Sequence, residues 1–129
     1  LDEDKFGVRS FLSRNRSLQI LNLEGNHIQD ESVEAIAKGV MQNDQTSLER
    51  LYLGSNSMGD EGAIALSEML AVNTSLRILG LRENKIQNAG ARALLSAMDV
   101  NTTIKEISGL WQNHINRRFV IVAIRRLLL

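Results

Sequence analysis

The chain has 129 residues, 43% of them hydrophobic, with 15 lysines and arginines balancing 15 aspartates and glutamates, and it contains neither cysteine nor proline. That length suits one domain burying roughly two-thirds of its unfolded surface, and zero net charge excludes a global attraction to nucleic acid or an anionic membrane. Lack of cysteine excludes disulfide bracing and fits a reducing, intracellular and cytoplasmic setting; the longest apolar run, Phe119–Ile124, falls far short of the ~18 residues of a membrane span.

In chain order, residues 1–12 align with residues 59–70 and read as a helix. A strand is expected within residues 19–23, on Leu18, Leu21 and Leu23, followed by Asn26 and Ile28. A helix opens at Asp30-Glu31. The next strand, within 49–53, uses Leu48, Leu51 and Leu53, with Asn56 and Met58 after it and a helix from Asp60-Glu61. The third, within 77–81, uses Leu76, Leu79 and Leu81, then Asn84, Ile86 and a helix from Asn88. Asp or Asn at these starts can cap the helix, and acidic residues suit its positive end. In the third of these helices Ala91, Leu94, Leu95 and Met98 form a one-sided apolar stripe.

A fourth strand is expected within 105–110, on Ile104 and Ile107. Ser108-Gly109-Leu110-Trp111 holds one residue too many before Asn113, so Gly109 is read as a bulge. A last helix is expected over 117–129. Phe119, Val120, Ala123, Ile124 and Leu127 make its core stripe, which leaves Ile121, Val122 and Leu129 among four arginines on the other side.

The pattern L-x-x-L-x-L-x-x-N-x-(I/M) thus recurs, its starts 30 and then 28 residues apart (48 − 18, 76 − 48). Units close on an Asn and a hydroxyl residue, as in Asn73-Thr74-Ser75 and Asn101-Thr102-Thr103. A repeat of this length and pattern specifies a solenoid, quasi-one-dimensional, with an extended concave face rather than an enclosed active site. Leucine ladder, asparagine and Asp-Glu helix start together resemble the ribonuclease-inhibitor type of leucine-rich repeat over nearly the whole chain. The resemblance implies an α/β solenoid of about four and a half repeats, with parallel strands inside the curve and helices outside. The chain reads as a single domain over 1–129. It opens on the helix of a repeat whose strand is missing, which fits a piece of a longer solenoid; the other reading makes that helix the terminal cap.

Alternate strand residues face opposite sides. With the leucines inward, three rows face the concave side: Ile20, Arg50, Ile78 and Glu106; Asn22, Tyr52, Gly80 and Ser108; then Glu24, Gly54, Arg82 and Trp111. Tyr, Trp and Arg are the types enriched at interaction hot spots. The expected function is therefore protein–protein interaction through Ile20, Asn22, Glu24, Arg50, Tyr52, Ile78, Arg82, Glu106 and Trp111. The alternative is a structural connector, a subunit held in a larger complex by an anchor at Arg118, Ile121, Val122 and Arg125. A GTPase-activator type of solenoid is a third reading, supported by no particular residue.

No catalytic constellation, cofactor motif or metal set stands out, and a non-enzymatic chain is expected. His27 and His114 occupy one motif position three repeats apart, about 15 Å on stacked strands and too far to share a metal. Asn15, Asn73 and Asn101 match the glycosylation acceptor pattern, but they recur because the repeat recurs.

Overall fold

The computed structural model describes residues 7–116 and 118–119. The elements run α1 (Val8–Arg14), β1 (Ile20–Asn22), α2 (Asp30–Gln42), β2 (Arg50–Tyr52), α3 (Asp60–Val72), β3 (Ile78–Gly80), α4 (Asn88–Val100) and β4 (Glu106–Ser108). The four strands form one parallel sheet in chain order. Ile20 pairs with Arg50, Arg50 with Ile78 and Ile78 with Glu106, so equivalent repeat positions stack in straight rows. Both the parallel pairing and the strand positions agree with the sequence reading.

The motif leucines make the core. Leu48, Leu51, Leu53 and Met58 of the second repeat, and Leu76, Leu79, Leu81 and Ile86 of the third, are 0–2% exposed. Each such burial stabilises by roughly 1.5–3 kcal/mol. In α4, Ala91 and Leu94 are buried, while Leu95 and Met98 on the same stripe are half-buried. Leu18, Leu21, Leu23 and Ile28 of the first repeat are also half-buried, packed against the core from one side.

Buried and half-buried asparagines stitch the turns. Asn56 Nδ2 donates to the carbonyls of Leu23, Leu53 and Gly54, while its Oδ1 accepts from the amides of Asn26 and Ile28, all at 2.9–3.1 Å. Asn84 repeats this toward Leu53, Leu81, Arg82 and Met58. Asn113 repeats it toward Leu81, Gly109, Leu110 and Ile86. Each asparagine thus closes its own turn and ties it to the preceding repeat, satisfying backbone groups that tight turns leave open. At the opposite end of the units, Asn43 Nδ2 donates to the carbonyls of Leu12 and Asn15, and Asn101 to those of Leu70 and Asn73.

Two sequence expectations are corrected. The aspartates at helix starts do not cap their own helices. Asp30 Oδ1 instead accepts from Gly59 and Gly62 at the start of α3, at 2.7 and 2.9 Å. Asp60 does the same for Gln87 and Gly90 of α4, at 2.8 and 2.9 Å. The stacked helices bring each carboxylate over the next helix's free amides, nearer than its own. The close approach also explains two glycines: a Cβ at Gly62 would lie 2.7 Å from Asp30 Oδ1, and one at Gly90 2.6 Å from Asp60 Oδ1.

The second correction concerns Gly109. β4 ends at Ser108, and Gly109, with φ 72°, opens a turn rather than a bulge within the strand. Leu81 N–H donates to Ser108 O and Glu83 N–H to Gln112 O, acceptors four residues apart; the previous junction uses Gly80 and Arg82, two apart. The surplus chain is looped out there, and Leu110 drops into the core at 4% exposure.

Of the expected terminal helix over 117–129, only Arg118 and Phe119 are described. Arg92 lies over the Phe119 ring, 5.5 Å from its centroid. Ile121, Val122 and Arg125 lie outside the described residues. Arg118 is exposed, its N–H bonded to Asn116 Oδ1 at 2.8 Å.

Candidate protein-binding face

The concave face is short, because each strand contributes only three paired residues. Inward residues of the strands, Leu21, Leu51, Leu79 and Ile107, leave their neighbours to form the outer rows. The first row places an exposed Ile20 (51%), an exposed Arg50, a half-buried Ile78 and an exposed Glu106 side by side. Arg50 and Glu106 have no ionic partner among the described residues, so this row offers two aliphatic side chains with free charges of both signs.

The second row centres on Tyr52. A Cβ placed on Gly80 would meet Tyr52 Cδ1 at 2.9 Å, so the ring leans over the neighbouring repeat where glycine leaves space. Asn22 Oδ1 accepts from the Glu24 amide at 3.0 Å, which commits that side chain to its own turn. Ser108 is half-buried at the far end.

The third row differs from the sequence picture. Glu24 and Arg82, expected as separate contact residues, bind each other across the intervening repeat. Nε of Arg82 lies 3.2 Å from Oε1 of Glu24, and Nη2 lies 3.4 Å from Oε2. The pair passes over Gly54, where a Cβ would stand 2.7 Å from Glu24 Oε1 and 2.8 Å from Arg82 Cγ. Trp111 belongs to the turn after β4 and is 40% exposed. It does not close the core, since Leu110 fills that position.

The loops above the strands hold a feature that composition hid. Ser55 and Glu83 adopt left-handed φ values of 53° and 52° where the first repeat has Gly25 at 70°. Ser55 Oγ donates to Glu83 Oε2 at 3.0 Å. The only sequence signal was the glycine at the equivalent position of one repeat.

Other candidates fit structural duties. Asn15, Asn73 and Asn101 accept from amides two and three residues ahead, closing turns. Among the described residues no group of three His, Cys, Asp or Glu side chains is placed to hold a metal. No helix among them is long and apolar enough to cross a membrane. On the convex side a groove of about 300 Å³ runs between α2 and α3, lined by Glu34, Lys38, Met41, Glu61, Ile64 and Glu68 among others.

Comparison with known proteins agrees with this architecture. No curated protein matches the chain by sequence. Among solved structures, one described as leiomodin-1 actin-binding site 2 superposes with a TM-score of 0.68 at 18% identity, covering 94% of this chain and 87% of that one. The tropomodulin C-terminal domain of Caenorhabditis elegans gives 0.64 at 16% identity, covering 98% and 93%. At these identities the likeness is one of fold. The family described as Leucine Rich repeat matches residues 14–37, 44–67 and 72–95, more than half of the chain. Repeat pattern, stacked parallel strands and asparagine ladder coincide over those same residues, and the chain belongs to the leucine-rich-repeat family.

Proposed function

We propose that the chain is a non-enzymatic protein-interaction module whose contact surface is the first two concave rows. The observation that supports this most is the Tyr52 ring leaning over Gly80, in the row next to Arg50, which itself stands between the aliphatic Ile20 and Ile78. Large rigid aromatic and guanidinium groups surrounded by apolar area are what binding hot spots consist of. Tyr52, Arg50, Ile20 and Ile78 are the anchors, with Glu106 and Trp111 at the far edge. Glu24 and Arg82 form a mutual clasp at the top of the face, and Asn22 fixes its own turn.

The similar fold described as an actin-binding site of leiomodin-1 makes monomeric actin the first ligand to try. Titration calorimetry with the intact chain and its Tyr52→Ala and Arg50→Ala variants tests the reading. Binding of actin that either substitution weakens tenfold or more, with folding intact, supports the assignment. Actin binding that neither substitution affects contradicts it.

A further inference from the structure

The charges at the foot of the concave face run in opposite senses on either side of β3. On the β2 side the order along the chain is Glu49 then Arg50; on the β4 side it is Lys105 then Glu106. The sheet holds them in register. Arg50 pairs with Ile78 and Ile78 with Glu106, while the Arg77 and Lys105 amides donate to the Glu49 and Arg77 carbonyls, both at 2.8 Å. Two strand spacings, about 10 Å, separate Arg50 from Glu106 and Glu49 from Lys105, with Ile78 and Arg77 between. All four charged side chains are exposed, and none has an ionic partner among the described residues.

A two-fold axis lying along β3, in the plane of the face, sets this arrangement against its own complement. It brings a second copy's β4 opposite β2 and its β2 opposite β4. Arg50 then faces the partner's Glu106, and Glu49 the partner's Lys105. Each contact occurs twice, as in any isologous interface. The column on the axis accommodates the pairing. Ile78 meets its own copy. Gly80 has no side chain and Tyr52 leans over it, so two rings stack above two glycines. Arg82 has left the column to lie over Gly54, which takes its guanidinium off the axis and toward the partner's Trp111, a cation–π acceptor. The like-charged meeting of Arg77 with its copy falls at the exposed foot of the sheet, where both long side chains can turn into water. Zero net charge adds no overall repulsion between copies.

We propose that the concave face takes a second copy of this chain, paired about a two-fold axis along β3, an inference that rests on the concave-face reading above. The contact uses about ten residues a side against the roughly 20–30 of a standard interface, so the dimer is weak and reversible. Ile20, on β1, lies outside the overlap of β2, β3 and β4 with their copies.

Sedimentation equilibrium of the intact chain at concentrations up to about 1 mM tests the pairing. The parent is expected to pass reversibly from monomer to dimer across that range. Arg50→Glu and Glu106→Arg each set like charges opposite one another, and each should weaken self-association by about tenfold or more. Mixed together, the two variants are complementary at both contacts. The mixture should therefore associate about tenfold or more tighter than either variant alone, which also shows that both are folded. Ile20→Asp should change the dimer by less than about threefold. A parent that stays monomeric throughout, or a mixture no tighter than its components, overturns the proposal. If actin binding still depends on Tyr52 in that event, the concave-face reading stands without the second copy. A loss from Ile20→Asp as large as that from Arg50→Glu would overturn the axis along β3.

Discussion

Arg82 grips Glu24 across two strand spacings, Nε to Oε1 at 3.2 Å, over the bare backbone of Gly54. The contact ties the first repeat to the third and bypasses the second. Its side chains are 53% and 32% exposed, so water and salt screen it and its worth is modest. The coupling between Glu24 and Arg82 in a double-mutant cycle is expected at about 0.2–1 kcal/mol in low salt. Gly54→Ala should abolish that coupling, because the new methyl occupies the path of both side chains. Coupling that survives Gly54→Ala would show that the clasp does not need the glycine.

The asparagine ladder predicts a graded series. Asn56→Ala removes five bonds to backbone, some of them buried. Leaving buried backbone groups open costs about 1–3 kcal/mol each, so a loss of at least about 2 kcal/mol in urea unfolding is expected. Asn26→Ala, with one exposed bond, should cost under about 1 kcal/mol. Ser57→Ala should be close to neutral. Equal losses at positions 26, 56 and 57 would remove the ladder from the account.

Left-handed backbone at Ser55 and Glu83 predicts gains on substitution. A non-glycine residue there is strained by roughly 1–2 kcal/mol, and glycine's greater unfolded freedom takes back about 0.5–1 kcal/mol. Ser55→Gly should therefore stabilise slightly, even with its bond to Glu83 lost. Gly109→Ala should destabilise well beyond Gly25→Ala. Both have positive φ, but a Cβ at Gly109 would lie 2.4–2.8 Å from Arg82 backbone and Cβ, whereas nothing stands within 4 Å of one at Gly25. Thermal melts of the three variants check the order.

The displaced cap makes a sharper forecast. Asp30→Ala should cost about 1 kcal/mol, as loss of a helix cap does. The damage should appear at the start of α3, not α2. Faster hydrogen exchange at Gly62 is the expected signature, and exchange altered only at the start of α2 would contradict the inter-repeat cap.

Fold and register were legible in the sequence because one-dimensional stacking repeats a local pattern. Leu21, Leu51 and Leu79 share a motif position, so they share a row, and the rows of the concave face followed directly. Contacts between repeats were harder to read. Nothing local to Asp30 says that its carboxylate serves Gly62, 32 residues on; that depends on how far one helix is offset from the next. The Glu24–Arg82 pair, 58 residues apart, reads in the sequence as two separate contact residues because the strand pattern gives direction but not reach. Gly109 was placed in a strand because motif counting shows that a residue is surplus without showing where the surplus loops out.

Binding is proposed to lie on the concave rows. The most direct measurement is affinity for an actin monomer, or for any partner isolated with the intact chain, across two double variants. One carries Arg50→Ala with Tyr52→Ala on the concave face; the other carries Lys38→Ala with Glu68→Ala in the groove between α2 and α3. The concave pair is expected to weaken binding by about a hundredfold, the sum of two anchors of about 1.4 kcal/mol each. The convex pair is expected to change binding less than about threefold, as near-neutral surface positions do. A larger loss from Lys38 and Glu68 than from Arg50 and Tyr52 would contradict it.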